Sequence, residues 1–144
     1  MSAEKNEATV RTWVDEAWNR GNVESQAGIF SPDYEWAELP EVFGKGSQAL
    51  MSFVLAFRAG FPDLHYRIED VVANDDSVAW RVLGTGTHRG EFMGMPATGK
   101  VISVAAIIIS RFESGLWRED HVCWDQLGML QQLGVIPRAE SVTA

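Results

Sequence analysis

The apolar positions along this chain change period once, near its middle. Over residues 4–20, Val10, Trp13, Val14, Ala17 and Trp18 recur at i, i+3, i+4, i+7 and i+8, a spacing that lays them along one side of a helix. Gly21 follows, where a helix is expected to end. A short second helix is predicted over 23–30, then a turn at Ser31, Pro32 and Asp33. Residues 34–39 alternate like a strand, with Tyr34, Trp36 and Glu38 on one side. Gly44, Lys45 and Gly46 read as a loop, and Ser47 as the N-cap of a third helix. Leu50, Phe53, Val54 and Phe57 give that helix its buried face, and Gly60, Phe61 and Pro62 end it.

From Leu64 the period falls to two. Strands are predicted over 64–73 and 77–88, with the turn Asn74, Asp75 and Asp76 between them. Gly84, Gly86 and Gly90 predict a bend or bulge at the end of the second. A loop over 94–99 leads to a strand from Ile102, a turn at Glu113, Ser114 and Gly115, a last strand and a closing helix. In the Ile102 strand, Val104, Ala106, Ile108 and Ser110 share one face, and Ala105, Ile107, Ile109 and Arg111 the other. Both faces are largely apolar, so both are expected to be covered. The last strand carries Arg118, Asp120, Val122 and Trp124 on one face and Glu119, His121, Cys123 and Asp125 on the other. Beyond Pro137 no pattern remains, and a loose tail is expected.

Three helices followed by four strands in meander order predict an α+β fold and a single domain over 1–144. The expected shape is a cone: a curved, mostly antiparallel sheet with helices over its concave side, enclosing a hydrophobic cavity. Ile107 and Ile109 fall on the opposite side and suggest a homodimer formed sheet to sheet.

Composition narrows the function classes. A formal net charge of −8 argues against nucleic acid, whose phosphates need clustered Lys and Arg. No apolar run is long enough to span a membrane and the first residues lack a signal-peptide core, so a cytoplasmic location is expected. The single cysteine, Cys123, excludes an internal disulfide and any cysteine-built metal site, and the three histidines show no ligand spacing. Six Trp and seven Phe can do more than fill a core. Trp18, Trp36, Phe53, Phe57 and Trp124 are candidate walls for a flat organic ligand, with core packing as the alternative for some of them.

Several segments resemble one family. AWNRGN at 17–22, FPDL at 61–64, GTHRGEFMGMPATGK at 86–100, RFESG at 111–115 and WDQLGMLQQLG at 124–134 are similar to the SnoaL-like polyketide cyclases of the NTF2-like superfamily. The likeness covers roughly 7–137. It implies the cone-shaped α+β barrel, an aromatic polyketide of the anthracycline type as ligand, and an intramolecular aldol closure that uses neither metal nor cofactor. Such a closure needs a base for an acidic C–H and a donor for the oxygen that becomes anionic. Counted from the hairpin glycine, the family's Asp and its neighbouring His fall here on Val122 and Ile108. Two further polar pocket positions fall on Trp18 and Phe53. All four are apolar, so the proton-moving pair is missing.

A branch of the same family with this pattern is linked to hydroxylation of the polyketide, and the resemblance therefore implies cofactor-independent hydroxylation. An accessory reductase that prepares a dihydroquinone is a partner suggested by the family alone. Asp120 shares the phase of Val122 and is the expected displaced base; the alternative is a strand-end aspartate paired with Arg118 or Arg111. His88 keeps its place in the GTH segment, either as a donor at the cavity mouth or as a prop for the glycine-rich strand end. Ile108, Val122 and Arg118 join the aromatic walls as expected substrate contacts. His121, His65 and Arg67 are expected outside the pocket, Asp125 as the cap of the closing helix, and Cys123 on the outer phase without chemistry. A cyclase with a relocated base and a non-catalytic binding protein are the other readings.

Overall fold

The computed structural model describes residues 2–137. The first helix is α1 (Ala3–Trp13), capped by the Ser2 side chain, which accepts from the Lys5 N–H at 3.1 Å. It runs on into a π-helical segment, Val14–Trp18. That wider turn keeps Val14, Ala17 and Trp18 buried with Val10 and Trp13, so the stripe expected from the spacing all faces inward. Gly21 then leaves the helix at φ +73°. The predicted second helix is a 3-10 segment, Glu24–Ile29, and leads directly into β1 (Phe30–Trp36). Ser31, Pro32 and Asp33 thus lie in a strand, which corrects the expected turn. Turn chemistry is present, since the Asp33 N–H donates to Ser31 Oγ at 3.1 Å. It makes an irregularity between Phe30 and Glu35 in a strand at the sheet edge, where proline's missing N–H is tolerated.

After a 3-10 turn, Glu41–Phe43, comes α2 (Gly46–Gly60). Lys45 occupies its N-cap position and no side chain caps it, so the expected role of Ser47 is not observed. Ala49, Leu50, Phe53, Val54 and Phe57 are buried along its length. The strands are β2 (His65–Ala73), β3 (Ser77–Thr87), β4 (Val101–Glu113) and β5 (Leu116–Trp124), closed by α3 (Gln126–Gln132). Asp125 caps α3 through the Gly128 N–H, as expected.

The sheet order is β1-β5-β4-β3-β2. The predicted meander β2 to β5 is antiparallel throughout, and β1 adds a parallel edge beside β5. The sheet is curved and open, not a closed barrel. No bulge occurs at the glycines of β3: its pairing with β4 is continuous from Ser77 to Thr87, and the irregularity lies in β2 between Ile68 and Asp70. Gly84 is needed for close approach instead. A Cβ there would stand 2.5 Å from a ring carbon of Tyr66 on β2. On the concave side Val104, Ile108 and Ser110 are buried under the helices, whereas Ile107 and Ile109 are exposed on the convex side. Within one chain, then, the sheet is covered on one face only. The expected tail after Pro137 lies outside the described residues.

Candidate functional site

Between the concave face and the helices lies an apolar cavity. Trp18 and Trp13 reach it from the first helix, Phe53, Phe57 and Leu50 from α2, and Trp36 from β1. Ile108, Val122 and Trp124 form its floor on β4 and β5. All seven apolar and aromatic residues expected as walls are thus brought together. Ile108 and Val122 are cross-strand partners, placed side by side on this floor. Trp36, Val122 and Trp124 are half-buried and mark the open side. The free space inside is about 60 Å³, roughly the share of two water molecules.

Asp120 is the carboxylate of this lining; Tyr66 is the other titratable residue there, and burial raises its hydroxyl above the ordinary phenol range. Asp120 is only 5% exposed, and its carboxyl is clasped by three donors. Oδ2 accepts from the Tyr34 hydroxyl at 2.6 Å; Oδ1 accepts from Ser110 Oγ at 2.5 Å and from Trp117 Nε1 at 2.9 Å. Trp80 Nε1 donates in turn to Ser110 Oγ at 3.0 Å. The alternative reading, an aspartate paired with Arg118 or Arg111, does not hold: Arg118 donates to the Asp33 carbonyl at 2.7 Å, and Arg111 faces Glu119. Burial away from water pushes the Asp120 pKa from the ordinary 3.8 up to about 6, although the bonds from Ser110, Tyr34 and Trp117 pull it down. The Tyr34 hydroxyl, buried against that carboxylate, is raised well above its ordinary range and stays protonated.

The direction of these bonds fixes where a proton can go. An indole N–H donates and never accepts. Trp80 therefore commits the Ser110 hydroxyl to donating onward, and Trp117 adds a second donor to the same Oδ1. Both lone pairs of Oδ1 are used, while Oδ2 meets only the Tyr34 hydroxyl. A proton arriving at Asp120 takes Oδ2.

His88 stands apart from the cavity. It is 0% exposed and stacks on Phe61 with ring centroids 5.0 Å apart. Its Nδ1 accepts from the Thr98 N–H at 3.3 Å, which leaves the proton on Nε2. With the bonds between its backbone and those of Gly99 and Lys100, it pins the loop that precedes β4. This is the propping arrangement; a place at the cavity mouth beside Asp120 is not what the structure shows. Arg118 also lies outside the cavity lining, along an open groove of about 1040 Å³ on the far side of Trp36 and Tyr34, and is not brought together with the other residues expected to contact a substrate. His121 and Cys123 are exposed on the convex face, and Arg67 pairs with Glu69 at 2.9 Å.

Sequence reasoning missed Tyr34, Ser110 and Trp117. Ser110 carried a readable signal, as the one polar side chain in the inward row Val104, Ala106, Ile108, Ser110. Tyr34 and Trp117 carried none, because an aromatic beside a carboxylate that is distant in sequence looks like any core residue.

A curved open sheet with helices on its concave side, holding an aromatic-walled cavity and one buried carboxylate, defines a cone of the NTF2-like superfamily. The sequence profile of SnoaL-like polyketide cyclases matches residues 8–133, and the chain belongs to that family. Among solved structures, AclR of Streptomyces galilaeus, a candidate hydroxylase, superimposes with a TM-score of 0.82 at 27% identity, over 97% of this chain and 87% of that one. IdmH of Streptomyces antibioticus, a candidate polyketide cyclase, gives 0.74 at 29% identity, over 89% and 97%. TsrD of Streptomyces laurentii gives 0.85 at 23% identity, over 94% and 99%, a likeness of fold. No curated protein matches the chain.

Proposed function

We propose that this protein acts on an aromatic polyketide and hydroxylates it without a cofactor, with Asp120 as the base. The observation that carries this reading is the pairing of Ile108 with Val122 on the cavity floor. They occupy the places expected for a cyclase's His and Asp and can move no proton, so Asp120 is left as the lining's carboxylate, while burial keeps the Tyr66 hydroxyl protonated. A carboxyl with a pKa of about 6 is well matched to accepting a phenolic proton near neutral pH. The aromatic walls favour a flat, electron-rich ring and exclude bulk water from it.

The step balances as follows. Asp120 Oδ2 takes the phenolic proton of a dihydroquinone, and the resulting anion passes one electron to dioxygen. The radical pair joins in a C–O bond, and protonation gives a hydroperoxide. Cleavage of the O–O bond leaves one oxygen on carbon and releases the other as water, the ring supplying the electrons as it becomes a quinone. One dihydroquinone and one dioxygen thus give one hydroxylated quinone and one water. An accessory reductase is the proposed source of the dihydroquinone.

Several fused rings need a site of about 300 Å³ or more, so the half-buried side of the cavity must open outward to admit them. A second reading is aldol cyclisation with Asp120 as the relocated base, favoured by the buried carboxylate itself. Mass spectrometry after incubation with a reduced anthracycline precursor, under air and under argon, separates the readings. One added oxygen under air alone is expected. Loss of water with a new ring in both atmospheres would favour the cyclase, and binding without conversion a carrier.

A further inference from the structure

Reactions that turn a phenol or carbonyl into an oxyanion need a hydrogen-bond donor at that oxygen as well as a base. The Trp36 side chain offers one. Its Nε1–H is buried and has no partner, and among the described residues the only other such side-chain atom is His88 Nε2, which lies outside the cavity. A buried donor left unpaired is destabilising, so the position calls for an acceptor to fill it. Trp36 is also the register partner of Asp120 across the parallel β1–β5 pair, and both line the cavity. Its ring stands edge-on to Phe53, with centroids 5.4 Å apart and an interplanar angle of 84°. It separates the inner cavity from the open groove outside, which it also lines.

We infer that the Trp36 indole N–H is the donor that binds the substrate oxygen as it becomes anionic, while neighbouring Asp120 takes the proton. The inference rests on the reading of Asp120 as the base. It assigns to this one indole a polar task that its ring, as a wall, does not require. A ligand entering from the groove would meet Trp36 first, and swinging it aside both enlarges the cavity and offers the N–H to the ligand.

The test uses 1,2-dihydroxyanthraquinone, a phenol whose visible absorption shifts red on ionisation. It is bound to the wild-type protein, to Trp36→Phe, which keeps a ring but lacks the N–H, and to Asp120→Asn. In Trp36→Phe the ionisation midpoint of the bound probe is expected to rise by about one pH unit, the effect of one hydrogen bond to a charged oxygen. Affinity for the neutral probe at low pH should change less than about threefold, since the ring contact is kept. In 15N-labelled wild-type protein the Trp36 indole proton should move downfield when the probe binds, a readout independent of how well the variant folds. An unchanged midpoint in Trp36→Phe, an unmoved indole resonance, or failure of the wild-type protein to bind the probe would overturn the inference. Loss of the base reading looks different: Asp120→Asn would retain full turnover of a reduced anthracycline precursor while the Trp36 signals with the probe still appear.

Discussion

Burying a carboxyl under three donors and an apolar roof gives Asp120 a pH response whose sign can be worked out. Its pKa is about 6 folded and near 3.8 in the unfolded chain, so the folded state holds the proton more tightly. Its stabilising contribution is therefore full below about pH 4 and is lost as the pH rises to about 6, a difference of about 3 kcal/mol. Asp120→Asn should remove this step. The amide oxygen can accept from Ser110 and Trp117, and the amide nitrogen can donate to a turned Tyr34 hydroxyl. Urea unfolding from pH 4 to 7 should show the variant gaining on the wild type as the pH rises; parallel curves would contradict this account of the carboxyl. Tyr34→Phe removes one of the bonds that favour the ionised form. The acid limb of activity should then move up by about one pH unit, the value of one such bond, as measured in the rate profile.

The helices and strands place these residues with differing legibility. The stripe from Val10 to Trp18 was readable because burial follows helical spacing even through a π-helical turn. The meander β2 to β5 was readable because its turns are short and its strands alternate. β1 was not: its pairing with β5 joins Trp36 to Asp120 across 84 residues, and Ser31, Pro32 and Asp33 display turn chemistry whether the chain turns or bulges. The glycines of β3 were noticed for the wrong reason, since flexibility and close approach leave the same mark in a sequence. At Gly84 the difference is measurable. The ring of Tyr66 stands over it and stacks on Trp18, with centroids 4.3 Å apart. Gly84→Ala should drive that ring toward the cavity wall and cost about 1–3 kcal/mol by overpacking, detected by urea unfolding. A neutral effect would mean that Tyr66 has room elsewhere. Of the site, the apolar walls and Asp120 were legible from phase along strands and helices. The clasp around Asp120 was not, because its donors come from β1, β4 and the start of β5 and meet only in three dimensions.

At the scale of the whole molecule, one face of the sheet is covered by helices and the other is not. Ile107 is 54% and Ile109 41% exposed on the convex face, with Arg111 and Glu119 beside them. We propose that a second copy of the chain covers this face. Ile107→Glu with Ile109→Glu should give a monomer in sedimentation experiments, and an unchanged dimer would exclude this face. The proposed chemistry lies on the concave side, where aromatic walls surround the cavity and Ile108 and Val122 stand at the positions expected for a proton-moving pair. The measurement that bears most directly on this account is the initial rate of dioxygen uptake with a reduced anthracycline precursor, followed from pH 5 to 8 in the wild type and in Asp120→Asn. In the wild type the rate should rise through about pH 6 and level off above it, as the Asp120 carboxylate forms. In the variant it should fall by roughly 10²-fold or more and lose that rise. Equal rates with the same profile in both proteins would show that Asp120 is not the base.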